Sequence, residues 1–336
     1  MIEGPKRIFP RVATAAVEAA VFTAHEGELM RIAVIGAGGI GAIYGAAFAK
    51  SGVEVVFVAR GAHLEAIRGN GLRIEGDRGV TEIRPAAATD DIAGIGPVDY
   101  VLFCVKLWDV ESAGAQLHPI VGRETAVIPL QNGVDAAERL EAILGAAPVM
   151  GGSAFVTGVI VAPGVIRQTG RYQEMTFGER DGGNRERGPR LKELCAAAGF
   201  EGVLSADIKA SIWEKFVMLV PVTGLNALTR LPLGKWRADP DLVALFEASL
   251  RETVAVGRAE GAKLPADAVD RGIAAMWSMP DYHMSSMGND LVRGNRLELP
   301  WLAGKVVELG RRHAIATPAN GFIYAALKPY ANGAPK

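Results

Sequence analysis

The run Gly36-Ala37-Gly38-Gly39-Ile40-Gly41 places glycines at G-x-G-x-x-G spacing. Gly36 permits a tight turn out of a strand, Gly38 lets backbone approach a pyrophosphate, and Gly41 lets the next helix pack closely on that strand. The free N–H groups that open the helix then face anionic phosphates. A glycine-rich turn that binds nothing can share this spacing, so the flanks matter. Arg31 to Ile35 is an apolar strand pattern, a small-residue helix runs to about Lys50, and a second strand pattern covers Val53 to Val58. Strand, glycines, helix and strand in that order predict a dinucleotide-binding unit.

The second strand ends in Ala59-Arg60-Gly61, without the acid that binds the ribose hydroxyls in NAD sites. A guanidinium there pairs with a 2′-phosphate in two-pronged fashion, so NADP is the expected cofactor and FAD is disfavoured. The competing reading is an arginine that only solvates a loop. Two more polar positions follow apolar strand patterns, at Lys106 and at Asn132 in Leu130-Gln131-Asn132-Gly133. Ligands of parallel α/β sheets sit beyond the carboxyl ends of strands, which makes both candidates for the nicotinamide end or the substrate. A lysine leaving a strand into water and an Asn-Gly turn explain the same residues without a ligand. Lys215 stands within the otherwise apolar helix pattern Ile212 to Val217; it either snorkels to the surface or points into a cleft.

Strand and helix patterns alternate to about residue 150, as a parallel sheet covered by helices on both faces requires. A hairpin is expected at Leu72 to Ile83, strands at Val98 to Val105 and Ala126 to Leu130, and helices near 109–117 and 135–144. Residues 151–178 read as extra β structure and Glu179 to Arg190 as a polar loop. Helical patterns follow at 207–229, 240–261, 265–279, 297–313 and 318–328. The fold class is therefore α/β, a Rossmann-type doubly wound domain over 30–205 followed by an all-helical domain over 206–330. Residues 1–29 read as a disordered extension or an over-long start, ahead of a cytoplasmic protein.

The 336 residues carry a net charge of −1, which leaves no basic footprint for nucleic acid. No apolar run approaches the ~20 residues of a membrane helix. The two cysteines, Cys104 and Cys195, form no C-x-x-C, and the histidines show no ligand spacing, so neither a disulfide framework nor a metal site is expected.

From Met30 to about Tyr330 the chain resembles the ketopantoate reductase (2-dehydropantoate 2-reductase) family. The resemblance rests on the glycine run with Arg60, Lys106, the turn at Asn132, Trp213 to Lys215, Ser285-Ser286-Met287 with Asp290, Glu298, and His313 to Asn320. It implies reduction of a 2-keto acid by NADPH, most directly 2-dehydropantoate to pantoate in pantothenate biosynthesis, with the residues matching Lys215, Ser286 and Glu298 serving the substrate. Hydride arriving at a ketone carbon puts negative charge on its oxygen, and an ammonium can supply both a proton and a countercharge. Glu298 would hold that ammonium or a substrate hydroxyl, and Ser286 would donate to the substrate carboxylate; a solvated glutamate and a helix cap are the plain alternatives.

The family commonly has asparagines one and two turns after the lysine, where this chain has Leu219 and Thr223, with Pro221 and Gly224 disturbing the helix. Thr223 still offers one hydrogen bond, whereas Asn226 lies ~16 Å along a regular helix from Lys215. The loss of amides leaves open a same-fold reductase of another branched or bulky 2-keto acid; a catalytically silent dinucleotide-sensing protein is the alternative of another class. A small-molecule substrate is the expected partner, with neither nucleic acid nor membrane, and a homodimer is allowed.

Overall fold

The computed structural model describes residues 30–77 and 79–335. The expectation for residues 1–29 lies outside them. In chain order the first part contains β1 (Arg31–Ile35), α1 (Gly39–Lys50), β2 (Glu54–Val58), α2 (Gly61–Asn70), β3 (Leu72–Gly76), β4 (Gly79–Ile83), β5 (Ala87–Thr89), β6 (Val98–Phe103), α3 (Val110–Gly114), β7 (Val121–Pro129), α4 (Ala136–Leu144), β8 (Gly151–Ala162), β9 (Val165–Gly178), α5 (Arg187–Ala197) and β10 (Glu201–Leu204).

Five of these strands form a parallel sheet in the order β5-β2-β1-β6-β7. Four of the five residues of β1 are buried, as expected of a central parallel strand covered on both faces. Helices α1 and α2 pack on one face, through Ile43, Phe48, Leu64 and Ile67, and α3 and α4 cover the other through Val110, Ala113 and Leu140. The remaining strands make a mixed sheet, β10-β9-β3-β4 with β8 antiparallel to β9, whose Ile166, Met175 and Phe177 join the α1 side of the core. Helix α1 thus lies between two sheets.

After β10 the chain is helical: α6 (Ile208–Thr229), α7 (Leu233–Trp236), α8 (Pro240–Ala259), α9 (Ala268–Ser278), α10 (Ser286–Val292), α11 (Ala303–Arg312) and α12 (Pro318–Leu327). Their apolar faces form a separate core around Phe216, Leu225, Trp236, Phe246, Leu250 and Ile323. Asp207 caps α6 by accepting from Ala210 N–H at 3.1 Å, and Arg230 ends it in the left-handed conformation at φ 58°.

Several elements depart from the expectation. Helix α6 runs through Pro221 and Gly224 without interruption. Gly224 is where α12 approaches, since a Cβ there would lie 3.0 Å from Ile323 Cγ2. The helix expected from 297 starts at Ala303, behind a 3₁₀ turn at Leu299–Trp301 that contains Pro300; a residue before proline is biased away from helical backbone. Helix α5 begins inside the stretch read as a loop, at Arg187. Helix α2 was not legible because it buries only Leu64 and Ile67.

Candidate active site

Each glycine of the loop has an identifiable reason. Gly36 has φ +97°, and a Cβ there would stand 3.0 Å from Cys104 C and Val105 N. A Cβ on Gly41 would meet Gly36 O at 2.3 Å, so only glycine lets α1 pack onto β1. Around Gly38 an added Cβ finds nothing within 4 Å, which leaves that backbone open to a ligand. Gly39 serves a different contact. Its Cβ would fall 1.9 Å from Gly158 O, where β8 presses on the loop. Between the glycines, Ala37 N–H donates to Val58 O at 3.0 Å, and Ile40 packs against the core below.

His63, at the start of α2, fastens this loop. Gly164 N–H donates to its Nδ1 at 3.0 Å, so the proton sits on Nε2, which donates to Ala37 O at 2.8 Å. The β8–β9 turn and the glycine loop are thereby joined through one imidazole, a link between distant segments that no local pattern signals. Arg60 occupies the residue before α2 and is exposed; among the described residues its guanidinium makes no hydrogen bond or ion pair. A free guanidinium beside a helix N-terminus is a suitable receptor for a phosphate.

The second cluster joins the two cores. Lys215 on α6 donates from Nζ to Asn132 Oδ1 at 2.8 Å and to Ala154 O on β8 at 2.6 Å, and lies 5.1 Å from the centroid of the Phe155 ring. Burial pushes its pKa down to about 8, against the attraction of the Glu298 charge. Asn132 therefore points into the seam as a ligand of the lysine and is more than a turn former. Lys215, Asn132, Gln131, Ser153, Phe216 and Leu219 line a crevice of about 10 Å³, room for one water-sized sphere.

Glu298 is not the group that holds Lys215. Its Oε1 accepts from Leu107 N–H at 3.2 Å and its Oε2 lies 3.6 Å from Lys106 Nζ. Lys106 also reaches Asp290 Oδ2 at 3.4 Å. Burial works against the Lys106 charge, but Glu298 and Asp290 outweigh it and hold the ammonium above the ordinary lysine range. The glutamate acts on Lys215 through its field and on Lys106 by contact.

Two further candidate residues are placed by the helices that carry them. Thr223 is buried and its hydroxyl donates to Leu219 O in its own helix, a common use of a mid-helix threonine. The cap of α10 is Ser285, whose Oγ accepts from Gly288 N–H at 3.1 Å, while Ser286 is exposed as the first helical residue. Asn226 is occupied as well, donating to Leu231 O at 2.8 Å and accepting from Ser285 N–H at 3.1 Å. One turn beyond Lys215 the crevice wall is the apolar side chain of Leu219.

Comparison with known proteins gives this geometry a family. The pattern described as "Ketopantoate reductase PanE/ApbA" matches residues 32–182, and "Ketopantoate reductase PanE/ApbA C terminal" matches residues 207–331. The chain belongs to the ketopantoate reductase family. A 2-dehydropantoate 2-reductase of Mesorhizobium japonicum is 32% identical over 322 residues, spanning 89% of this chain and 97% of the relative. The crystal structure of a PanE/ApbA family ketopantoate reductase from Ralstonia eutropha superposes with TM-score 0.82 at 32% identity, covering 90% of this chain and 98% of that one. A D-mandelate dehydrogenase solved with NADH and anilino(oxo)acetate reaches TM-score 0.83 over 90% of this chain and 98% of its own, but at 20% identity it shares the fold alone. Members of the family are oxidoreductases acting on a CH–OH group, and this chain is one by membership. Among the described residues no helix is long and apolar enough to cross a membrane.

Proposed function

We propose that the protein reduces 2-dehydropantoate to pantoate with NADPH. The observation that carries the reading is Lys215: an ammonium tied to Asn132 and Ala154 in the seam between the two cores, with its pKa lowered to about 8. Both anchors are neutral oxygens, so its positive charge is not cancelled by direct contact with a carboxylate. It remains mostly protonated at neutral pH and is acidic enough to give up a proton.

The first cluster fits a nicotinamide dinucleotide. The open face of Gly38 and the start of α1 would take the pyrophosphate, and Arg60 a 2′-phosphate. When bound, the dinucleotide supplies the hydride. The chain does the rest: Asn132 and Ala154 orient Nζ, the ammonium balances charge growing on the substrate oxygen, and the proton passes from Nζ to that oxygen. Glu298 and Asp290 keep Lys106 charged beside the same seam, where it can face a phosphate or the substrate carboxylate. A soluble enzyme working alone or as a homodimer in the cytoplasm is consistent with this chemistry.

A second reading rests on Leu219. Its apolar wall, together with Thr223 turned into its own helix, favours a 2-keto acid with a branched apolar side chain over one with a hydroxyl. NADPH oxidation by purified protein against 2-dehydropantoate, 2-oxoisovalerate and pyruvate decides between the two. Preference for 2-dehydropantoate supports the first, preference for 2-oxoisovalerate the second, and NADPH binding without turnover of any keto acid refutes both.

A further inference from the structure

Two polar side chains in the crevice beside Lys215 have groups that no described residue hydrogen-bonds. The amide nitrogen of Gln131 donates to Phe103 O at 2.9 Å and Val105 O at 3.0 Å, both at the end of β6. With its two protons fixed on those carbonyls the amide cannot turn over, and its Oε1 is buried without a hydrogen-bond partner among the described residues. Gln131 is 8% exposed. Ser153, on β8, is 2% exposed, and its hydroxyl makes no hydrogen bond to any described residue. Both line the crevice with Lys215 and Asn132. Their places are set by close packing of β8 against the end of β7, where a Cβ on Gly152 would lie 2.6 Å from Pro129 O. Ser153 is next in the chain to Ala154, whose carbonyl holds the lysine.

Folded proteins leave few buried acceptors without a donor, and such groups are commonly completed by a ligand or a water. Gln131 Oε1 can only accept, whereas the Ser153 hydroxyl can donate. We propose that Gln131 and Ser153 form a subsite for a neutral ligand group that both donates and accepts a hydrogen bond. A carboxylate or a keto oxygen has no proton to give and does not complete the pair. On the reading of the protein as an NADPH-dependent keto acid reductase, on which this inference rests, two groups have the required chemistry: the carboxamide of the nicotinamide ring and the hydroxyl of the substrate side chain. Either one, held here, is fixed beside the Lys215 ammonium.

Ser153→Ala tests the subsite, with binding of NADPH measured by fluorescence titration without substrate, and kcat/KM measured with 2-dehydropantoate and with hydroxyl-free 2-oxoisovalerate. Loss of one neutral hydrogen bond corresponds to about a three- to tenfold effect. A carboxamide occupant raises the NADPH Kd by that factor. A hydroxyl occupant leaves the NADPH Kd unchanged and lowers kcat/KM for 2-dehydropantoate alone. Wild-type values in both arms overturn the proposal, as does an equal loss in all of them with a lowered melting temperature. Failure of the unaltered protein to bind NADPH or NADH would instead refute the underlying functional reading.

Discussion

Lys215 Nζ donates to Asn132 Oδ1 at 2.8 Å, joining the helical core to the turn that follows β7 across 83 residues of sequence. The bond ties the position of the proposed acid to the end of the parallel sheet, where the dinucleotide would lie. It also leaves the ammonium with a neutral partner, so burial governs its acidity.

The pH dependence follows from that partner. In the proposed role Lys215 acts as the ammonium, whose pKa is lowered to about 8. Reduction should hold steady below that value and decline as pH rises through it, since deprotonation removes both the proton and the charge. Asn132→Asp would place a carboxylate at the same position, stabilise the ammonium and move the alkaline limb upward. A kcat/KM profile flat to pH values well above this, in the unaltered protein, would contradict a proton-donating Lys215.

Cofactor choice is expected to rest on Arg60. A charge-assisted hydrogen bond to a 2′-phosphate contributes about 1.5–3 kcal/mol, so Arg60→Ala should raise the KM for NADPH about tenfold or more. The KM for NADH should change little. Equal losses with both cofactors would reduce Arg60 to a structural part of the start of α2.

Substrate choice is expected to rest on Leu219. Leu219→Asn would restore an amide one turn beyond Lys215, and a site that can pair a hydroxyl discriminates against substrates lacking one. The ratio of kcat/KM for 2-dehydropantoate over 2-oxoisovalerate should rise about three- to tenfold, the worth of one such hydrogen bond. An unchanged ratio would show that this wall does not meet the substrate side chain.

Glu298 links the halves through Lys106 and Leu107 N–H. Since the Lys106 side chain is 45% exposed, solvent screens the ion pair, and Glu298→Ala should cost about 1–2 kcal/mol, mostly from the unpaired N–H. A lowered melting temperature with a smaller loss of turnover than in Lys215→Ala is the expected pair of results. A loss of turnover equal to that of Lys215→Ala, at unchanged stability, would put Glu298 in the chemistry.

Much of the fold was legible because its signals are local. The glycine spacing, the strand patterns around it and the long apolar run of α6 each reflect periodicity within a few turns. The site was only partly legible. Lys215, Asn132 and Lys106 stand out as polar groups on apolar elements, but their partners are distant in sequence, and Ala154 contributes only a carbonyl, which no side-chain pattern marks. Adjacent serines could not be told apart, because the cap is decided by where α10 begins; it begins at Ser286, so Ser285 caps. Thr223 reads as an available donor in sequence, yet its helix offers the Leu219 carbonyl first. The Gly39–Gly158 contact and the His63 bridge arise from the mixed sheet closing over α1, a relation between segments that single-chain patterns do not carry.

The most direct test is turnover of Lys215→Ala measured beside its affinity for NADPH. An acid whose contact is strongest in the transition state affects kcat more than binding, by about 10²–10⁴-fold. The expected result is a kcat lowered within that range with the NADPH Kd nearly unchanged. Near-normal turnover in this variant, with collapse in Lys106→Ala, would contradict the assignment and transfer the role to the lysine held by Glu298 and Asp290.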